Sequence, residues 1–301
     1  MSDTQRIPIL LDTDIGSDID DAVCLAYLLK QPRCELVGIT TVSGQAQSRA
    51  SLADALCRAA GHADVPIHAG SEQGLLLGVV QPECPQAAVL PRFPHRAPEE
   101  FPKNTAVEFL RDRINSRPGE LTLLTIGPLT NVGILFSLDR DLPSKLKRLV
   151  MMCGVFSAEV GAREWNALCD PIATAIAYRA EVAEHVSIGL DVTMRCRKPS
   201  QECIQRFESI GGPLAVVAAM SEVWAKRAGI MTFHDPLAAV SIFEPGICDY
   251  QSGRVDVELK SDRVPGMTLF TRDAKPSPHR AALGVDPEAF FQHYFEVISR
   301  V

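Results

Sequence analysis

The chain has 301 residues, 46% hydrophobic and 22% charged, with 30 basic against 37 acidic side chains and a formal net charge of −7. This is the composition of a compact globular protein with a substantial core, and it excludes a disordered chain or a membrane-embedded one. The acidic balance argues against nucleic acid as partner, because phosphate backbones are held by clustered Lys and Arg, and favours a metal ion or a neutral or cationic small ligand.

In chain order, short β-branched apolar runs alternate with longer segments of helical period. RIPILLD (6–12) predicts a strand, and a helix follows from about Asp20 to Lys30. ELVGITTV (35–42) predicts a second strand, residues 46–60 a second helix, and VPIHAG (65–70) a short third strand. Repeated prolines in residues 71–103 forbid a long regular element, so that segment reads as an extended surface loop. The alternation resumes with ELTLLTIG (120–127) and a helix opening at Pro128. It continues with LKRLVMMCG (146–154), a loop, a helix from Pro171, and a strand over HVSIGLDVT (185–193). GRVDVELK and GMTLFTRD alternate with period two and predict a C-terminal antiparallel hairpin. Strands separated by helices imply crossover connections. The expected fold is therefore a single α/β domain spanning 1–301, an open, mainly parallel, doubly wound sheet flanked by helices.

The nine cysteines are scattered, odd in number and never spaced as CxxC, which reads as reduced thiols in a cytoplasmic protein. The N-terminus has no basic start leading into an apolar core, and no run approaches a membrane span, so no membrane association is expected.

In open parallel sheets, ligands bind outside the carboxyl ends of the strands. After the first strand the sequence places Asp12, Asp14, Asp18, Asp20 and Asp21 within ten positions, directly before an apolar helix. Asp12 and Asp14 project the same way from a strand, and Asp20 and Asp21 fall in the first turn of a helix. Capping and solvation account for Asp18 and for part of Asp20. The group as a whole repels itself unless a cation neutralises it. All the donors are oxygens, so the cation is hard. Calcium tolerates irregular loops and backbone carbonyls, and fits better than magnesium.

DTDIGSDIDDA resembles the N-terminal signature of the inosine-uridine-preferring nucleoside hydrolases, usually DTDPGxDDA. TTVSGQ is similar to the family's TVxGN, GPLTN (127–131) matches, MCG (152–154) is similar to MGG, EWNALCDPIA (164–173) to EFNxxxDPEA, and HDPLA (234–238) matches as it stands. The resemblance implies calcium-dependent cleavage of the N-glycosidic bond of ribonucleosides. It makes Asp14 a calcium ligand and the base on the attacking water, with Asp21, Asp235 and the Ile126 carbonyl as further calcium ligands. Asp20 would grip ribose hydroxyls, Glu164 and Asn166 would hold the ribose, Met152 would line its floor, and Gln45 stands in the substrate site where Asn is usual. His234, with an ordinary pKa near neutrality, would serve the leaving base as an acid. A homodimer or homotetramer is implied as well.

Two residues inserted between Gly16 and the Asp pair leave Asp18 a competitor for the role of Asp20 or Asp21. Alignment on DDA gives the roles above. Ala158 and Gln45 depart from the family around the sugar. Two rival readings follow: a magnesium-dependent phosphohydrolase, for which the extra carboxylates would repel the anion, and a non-catalytic nucleoside or sugar binder.

Overall fold

The computed structural model describes residues 6–76, 78, 81–157, 163–226 and 228–300. Its strands are β1 (Ile7–Thr13), β2 (Cys34–Thr41), β3 (Ile67–Ala69), β4 (Thr122–Thr125), β5 (Arg148–Met152), β6 (His185–Ile188), β7 (Arg197–Pro199), β8 (Ile230–Thr232), β9 (Cys248–Val257), β10 (Thr268–Arg272) and β11 (His279–Val285). The helices are α1 (Asp20–Lys30), α2 (Ala46–Ala59), α3 (Ala106–Ser116), α4 (Thr130–Leu138), α5 (Trp165–Cys169), α6 (Pro171–Arg179), α7 (Leu190–Thr193), α8 (Ser200–Ile210), α9 (Pro213–Ala225), α10 (His234–Phe243) and α11 (Pro287–Ile298). Among the described residues no helix is long and apolar enough to cross a membrane.

Nine strands form one sheet in the order β10-β9-β11-β6-β5-β4-β1-β2-β3. From β3 across to β11 the pairs are parallel, with β9 and β10 added antiparallel at one edge. Both faces are covered, so the inner strands carry buried residues throughout, as TLLT in β4 and HVSI in β6 do. β1 sits at the reversal of strand order: β2 and β3 lie on one side of it, β4, β5 and β6 on the other. At such a switch point the connections leave in opposite directions and open a crevice at the strand ends.

The expected architecture holds, with local differences. HVSIGLDVT is a strand only as far as Ile188. The amide of Leu190 then turns to the Gly154 carbonyl at 3.0 Å, and residues 190–193 coil into α7. The C-terminal hairpin is β9 and β10, but β11 inserts between β9 and β6 and joins the hairpin to the parallel sheet. Among its described residues the Pro-rich segment forms 3₁₀ turns as its helical elements, at Pro85–Arg92 and Pro98–Glu100, yet it is no free surface loop. Gln86, Val89 and Leu90 are buried, and the Gln86 amide donates to the Gly16 carbonyl at 3.1 Å. Residues 200–225 and 287–298, to which the period-based reading assigns no element, form α8, α9 and α11.

Beneath the β6–β11 junction, the ring of buried His185 stacks on Tyr178 at 5.5 Å and meets the edge of His279 at 4.7 Å. Desolvation, then the neighbouring His279, pushes the His185 pKa down to about 3 from 6.5. The unfolded chain therefore binds more protons than the folded one between those values. His185 contributes stability that is present above pH 6.5 and lost as the pH falls toward 3, up to about 5 kcal/mol. Thermal melts of His185→Gln across pH 4–7 should show a flatter decline toward acid than wild type; parallel slopes would refute this.

Candidate active site

The crevice at the switch point is a cavity of about 660 Å³ over the carboxyl ends of β1, β4 and β5. Three elements deliver its acidic floor. Asp14 follows β1, Asp20 and Asp21 open α1, and Asp235 lies in the first turn of α10. Asp20, Asp21 and Asp235 each offer an oxygen, all within 4.8 Å of one another. Asp14 stands beside this trio. Gln81 Nε2 donates to its Oδ2 at 2.6 Å, and a side chain at Gly127 would come within 2.7 Å of its Oδ1, so the end of β4 has to be bare there. Thr13 Oγ1 donates to Asp21 Oδ1 at 2.5 Å.

Asp12 projects from the same face of β1 as Asp14 but lies deeper and does not line the cavity. Thr40 Oγ1 and Asn131 Nδ2 donate to its Oδ1 at 2.5 and 2.8 Å, and burial lifts its pKa to about 7. Asp18, in the insertion, sits exposed at the rim and caps the Ile19 amide at 2.6 Å.

The ribose-directed residues converge on the same cavity, with one exception. Asn166 uses both amide protons on backbone carbonyls, those of Ile126 and Met152, each at 3.0 Å, and so ties the end of β4 to that of β5. Glu164 is the N-cap of α5. Its carboxylate receives the amides of Asn166 at 2.7 Å, Ala167 at 3.0 Å and Gly154 at 3.2 Å. Met152 and His234 line the wall. Gln45 does not: its backbone is left-handed at φ 61°, and its Oε1 accepts from the Cys84 amide at 3.1 Å, away from the cavity. Ala158 lies outside the described residues.

His234 differs from expectation in its chemistry. Its Nδ1 lies 2.7 Å from Thr193 Oγ1, and burial, helped by Arg197, pushes its pKa down to about 4. The ring is therefore neutral at pH 7. In the tautomer whose Nδ1 accepts from the Thr193 hydroxyl, Nε2–H is the donor available to a ligand.

Several contributors come from places no local motif marks. Gln81, from the Pro-rich segment, also accepts from Trp165 Nε1 at 2.6 Å, which links the cavity mouth to Asp14. Trp224, at the end of α9, lines the wall together with Asp18. Arg49 of α2 is wholly buried. Its guanidinium donates to the carbonyls of Asp14, Ile15 (3.2 Å), Gly44 (2.8 Å) and Glu83 (2.8 Å), and to Ser17 Oγ (2.9 Å). It clamps the inserted turn to the Pro-rich segment and turns its donors on backbone rather than on the carboxylates.

The family model described as "Inosine-uridine preferring nucleoside hydrolase" matches residues 9–292. The chain belongs to this family. Uridine nucleosidase 1 of Arabidopsis thaliana is 28% identical to the hydrolase over 284 residues, 89% of this chain and 82% of that one. A pyrimidine-specific ribonucleoside hydrolase of a Shewanella species (strain MR-7) is 29% identical over 312 residues, covering 94% and 93%. The solved purine-preferring ribonucleoside hydrolase of Gardnerella vaginalis superposes with a TM-score of 0.83 at 23% identity, covering 97% and 98%, and so shares the fold.

The hydrolase's acidic floor carries strain of electrostatic origin. Desolvation raises Asp14, and raises Asp20, Asp21 and Asp235 well above the usual carboxylate range; their mutual repulsion raises the latter three further. Arg49 lowers Asp14 and Asp21 only in part. Buried, oxygen-only donors that repel one another, with no side-chain cation among them, fit a hard divalent metal ion.

Three outcomes follow. A carboxyl raised in the folded state gives stability present at acid pH and lost as pH climbs through the window above 3.9. The gain in metal-free stability of Asp235→Asn over wild type should therefore grow from pH 5 to pH 7.5, a comparison in which the opposing histidines, His185 and His234 among them, are common to both proteins. Asp235→Asn should raise the metal-free Tm at pH 7.5 by roughly 2–6 °C, about 1–2 kcal/mol, and abolish the rise a divalent cation produces. Lower metal-free stability in Asp235→Asn would refute this reading. Arg49→Met should cost at least about 3 kcal/mol in denaturant unfolding, because it strands several buried carbonyls at once; a loss under about 1 kcal/mol would show the clamp to be dispensable.

Proposed function

We propose that this chain hydrolyses the N-glycosidic bond of ribonucleosides to ribose and free base, with calcium held by Asp14, Asp21, Asp235 and the Ile126 carbonyl. The observation that carries the reading is the convergence of Asp20, Asp21 and Asp235, from two elements more than 200 positions apart, on one buried point. Calcium bound there supplies positive charge that acidifies a water and anchors vicinal hydroxyls.

The chain's own residues do the rest. Breaking the bond builds positive charge on the ribose ring, and carboxylates that have lost their hydration stabilise such a cation strongly. Asp14 takes the proton of the attacking water, and its raised affinity for protons suits a base. Gln81 Nε2 fixes the carboxylate during the transfer. Asp20, Asn166 and Met152 place the sugar. Glu164, its oxygens already engaged by three backbone amides, acts chiefly by holding Asn166 in place. His234, a neutral imidazole where the sequence reading expects an acid, donates an Nε2–H hydrogen bond to the departing base and keeps its proton, and the base takes up a proton from solvent. Trp165, Trp224, Leu168 and Leu190 give the base apolar walls while the polar groups gather at the floor.

The phosphohydrolase alternative has the cavity's charge against it: among the described lining residues, Asp14, Asp18, Asp20, Asp21, Glu164 and Asp235 face one Arg or Lys, Arg163. The binder alternative loses one of its two supports, since Gln45 lies away from the cavity.

Assays of inosine, uridine and p-nitrophenyl riboside with and without calcium should show calcium-dependent release of ribose. Phosphate release from a phosphoester, or binding without product, would overturn the proposal. Asp14→Asn should lower kcat by about 10³-fold or more, while Asp18→Asn stays within about threefold; equal losses would mean that the insertion has been aligned wrongly.

A further inference from the structure

Next along the chain after α7, β7 and α8 face α11 across a groove of about 890 Å³ that shares no lining residue with the catalytic cavity. Its lining holds five cations, Arg195, Arg197, Lys198, Arg206 and Arg300, against two carboxylates, Glu288 and Glu296. This local excess is the reverse of the chain's net charge of −7. Arg300 is paired with Glu296 at 2.9 Å. The other four cations make no ion pair among the described residues, and none of their side chains donates a hydrogen bond within that set.

Two of these cations are nonetheless held in place. The Lys198 ammonium lies 5.0 Å from the Phe291 ring centroid, and the Arg206 guanidinium lies 3.8 Å from that of Phe295. The two rings stack on each other at 6.0 Å, so the charges are seated on a rigid aromatic base. Like charges converging in a concavity raise each other's energy, and an anion relieves this while using their free N–H donors. Guanidinium forks match the oxygens of a phosphate, and the half-buried Phe291 offers an apolar contact beside them.

We infer that this groove is a binding site for a small phosphate ester, separate from the catalytic cavity. The inference does not depend on the proposed catalytic chemistry. The groove does share a segment with the cavity. Leu190 lines the cavity, Thr193 holds His234 at 2.7 Å, and Arg195, Arg197 and Lys198 line the groove. Arg197 also pairs with Thr232, two residues before His234.

The test is calorimetric titration of the full chain, with and without saturating ribose, with phenyl phosphate, inorganic phosphate and benzyl alcohol. Phenyl phosphate should bind saturably with a Kd at or below about 1 mM, inorganic phosphate more weakly and benzyl alcohol not at all. Binding should weaken as salt rises. In the double variant K198Q/R206Q it should weaken by about tenfold or more, with nucleoside turnover and Tm unchanged. Absence of saturable binding, equal binding by the double variant, displacement by ribose, or equal binding of benzyl alcohol would each overturn the inference. So would a change of oligomeric mass in the double variant without phosphate binding by wild type, which would make the groove a contact between copies.

Discussion

The electrostatic repulsion among Asp14, Asp20, Asp21 and Asp235 is the constraint around which the active end of this molecule is arranged. No protein gathers four buried carboxylates by default, because each loses its hydration and feels the others across a medium of low dielectric. The sheet brings them together because β1 lies where the strand order reverses, so that the ends of β1 and β4, the start of α1 and the start of α10 face one crevice. The scaffold spends stability to build a place where a cation, and then a developing positive charge on a sugar, are worth more than they would be in water. The stability cost of the metal-free state and the chemistry of the occupied one share that origin.

Arg49 shows how the fold tolerates this. Its guanidinium is buried close enough to lower Asp14 and Asp21, yet its hydrogen bonds go to the carbonyls of the turn that follows β1 and of the Pro-rich segment. A direct salt bridge would have filled the site and silenced the carboxylates. Charge compensation through the backbone leaves their oxygens free for a ligand. The same clamp gives the turn over residues 17–19, which holds the two-residue insertion, a structural reason: it supplies Ser17 Oγ as a further acceptor and carries Asp18 to the rim.

How much of this was legible in the sequence depended on distance along the chain. The acidic turn and the helix behind it could be read directly, because charges packed against an apolar run have few explanations, and α1 begins and ends at the expected residues. Asp235 carried no such signal and became visible only through the family resemblance. Gln81, Arg49, Thr193 and Trp224 gave none, since each acts through a contact whose partner lies elsewhere. Gln45 was misplaced because a left-handed backbone turns its longer amide toward Cys84, which no local pattern announces. His234 lines the cavity, and its lowered proton affinity had no local signal, because burial is a property of the fold. Among the elements, α9 is apolar nearly all round and shows little helical periodicity, while the aromatic-rich α11 imitates a strand in composition.

The cavity wall has one more property, which follows from composition. The chain contains two tryptophans, Trp165 and Trp224, and both line this cavity; Trp165 is 48% exposed at its mouth and joined through Gln81 to Asp14. Ultraviolet emission from the protein therefore arises almost wholly at the site, and the molecule carries a built-in optical gauge of whatever enters it.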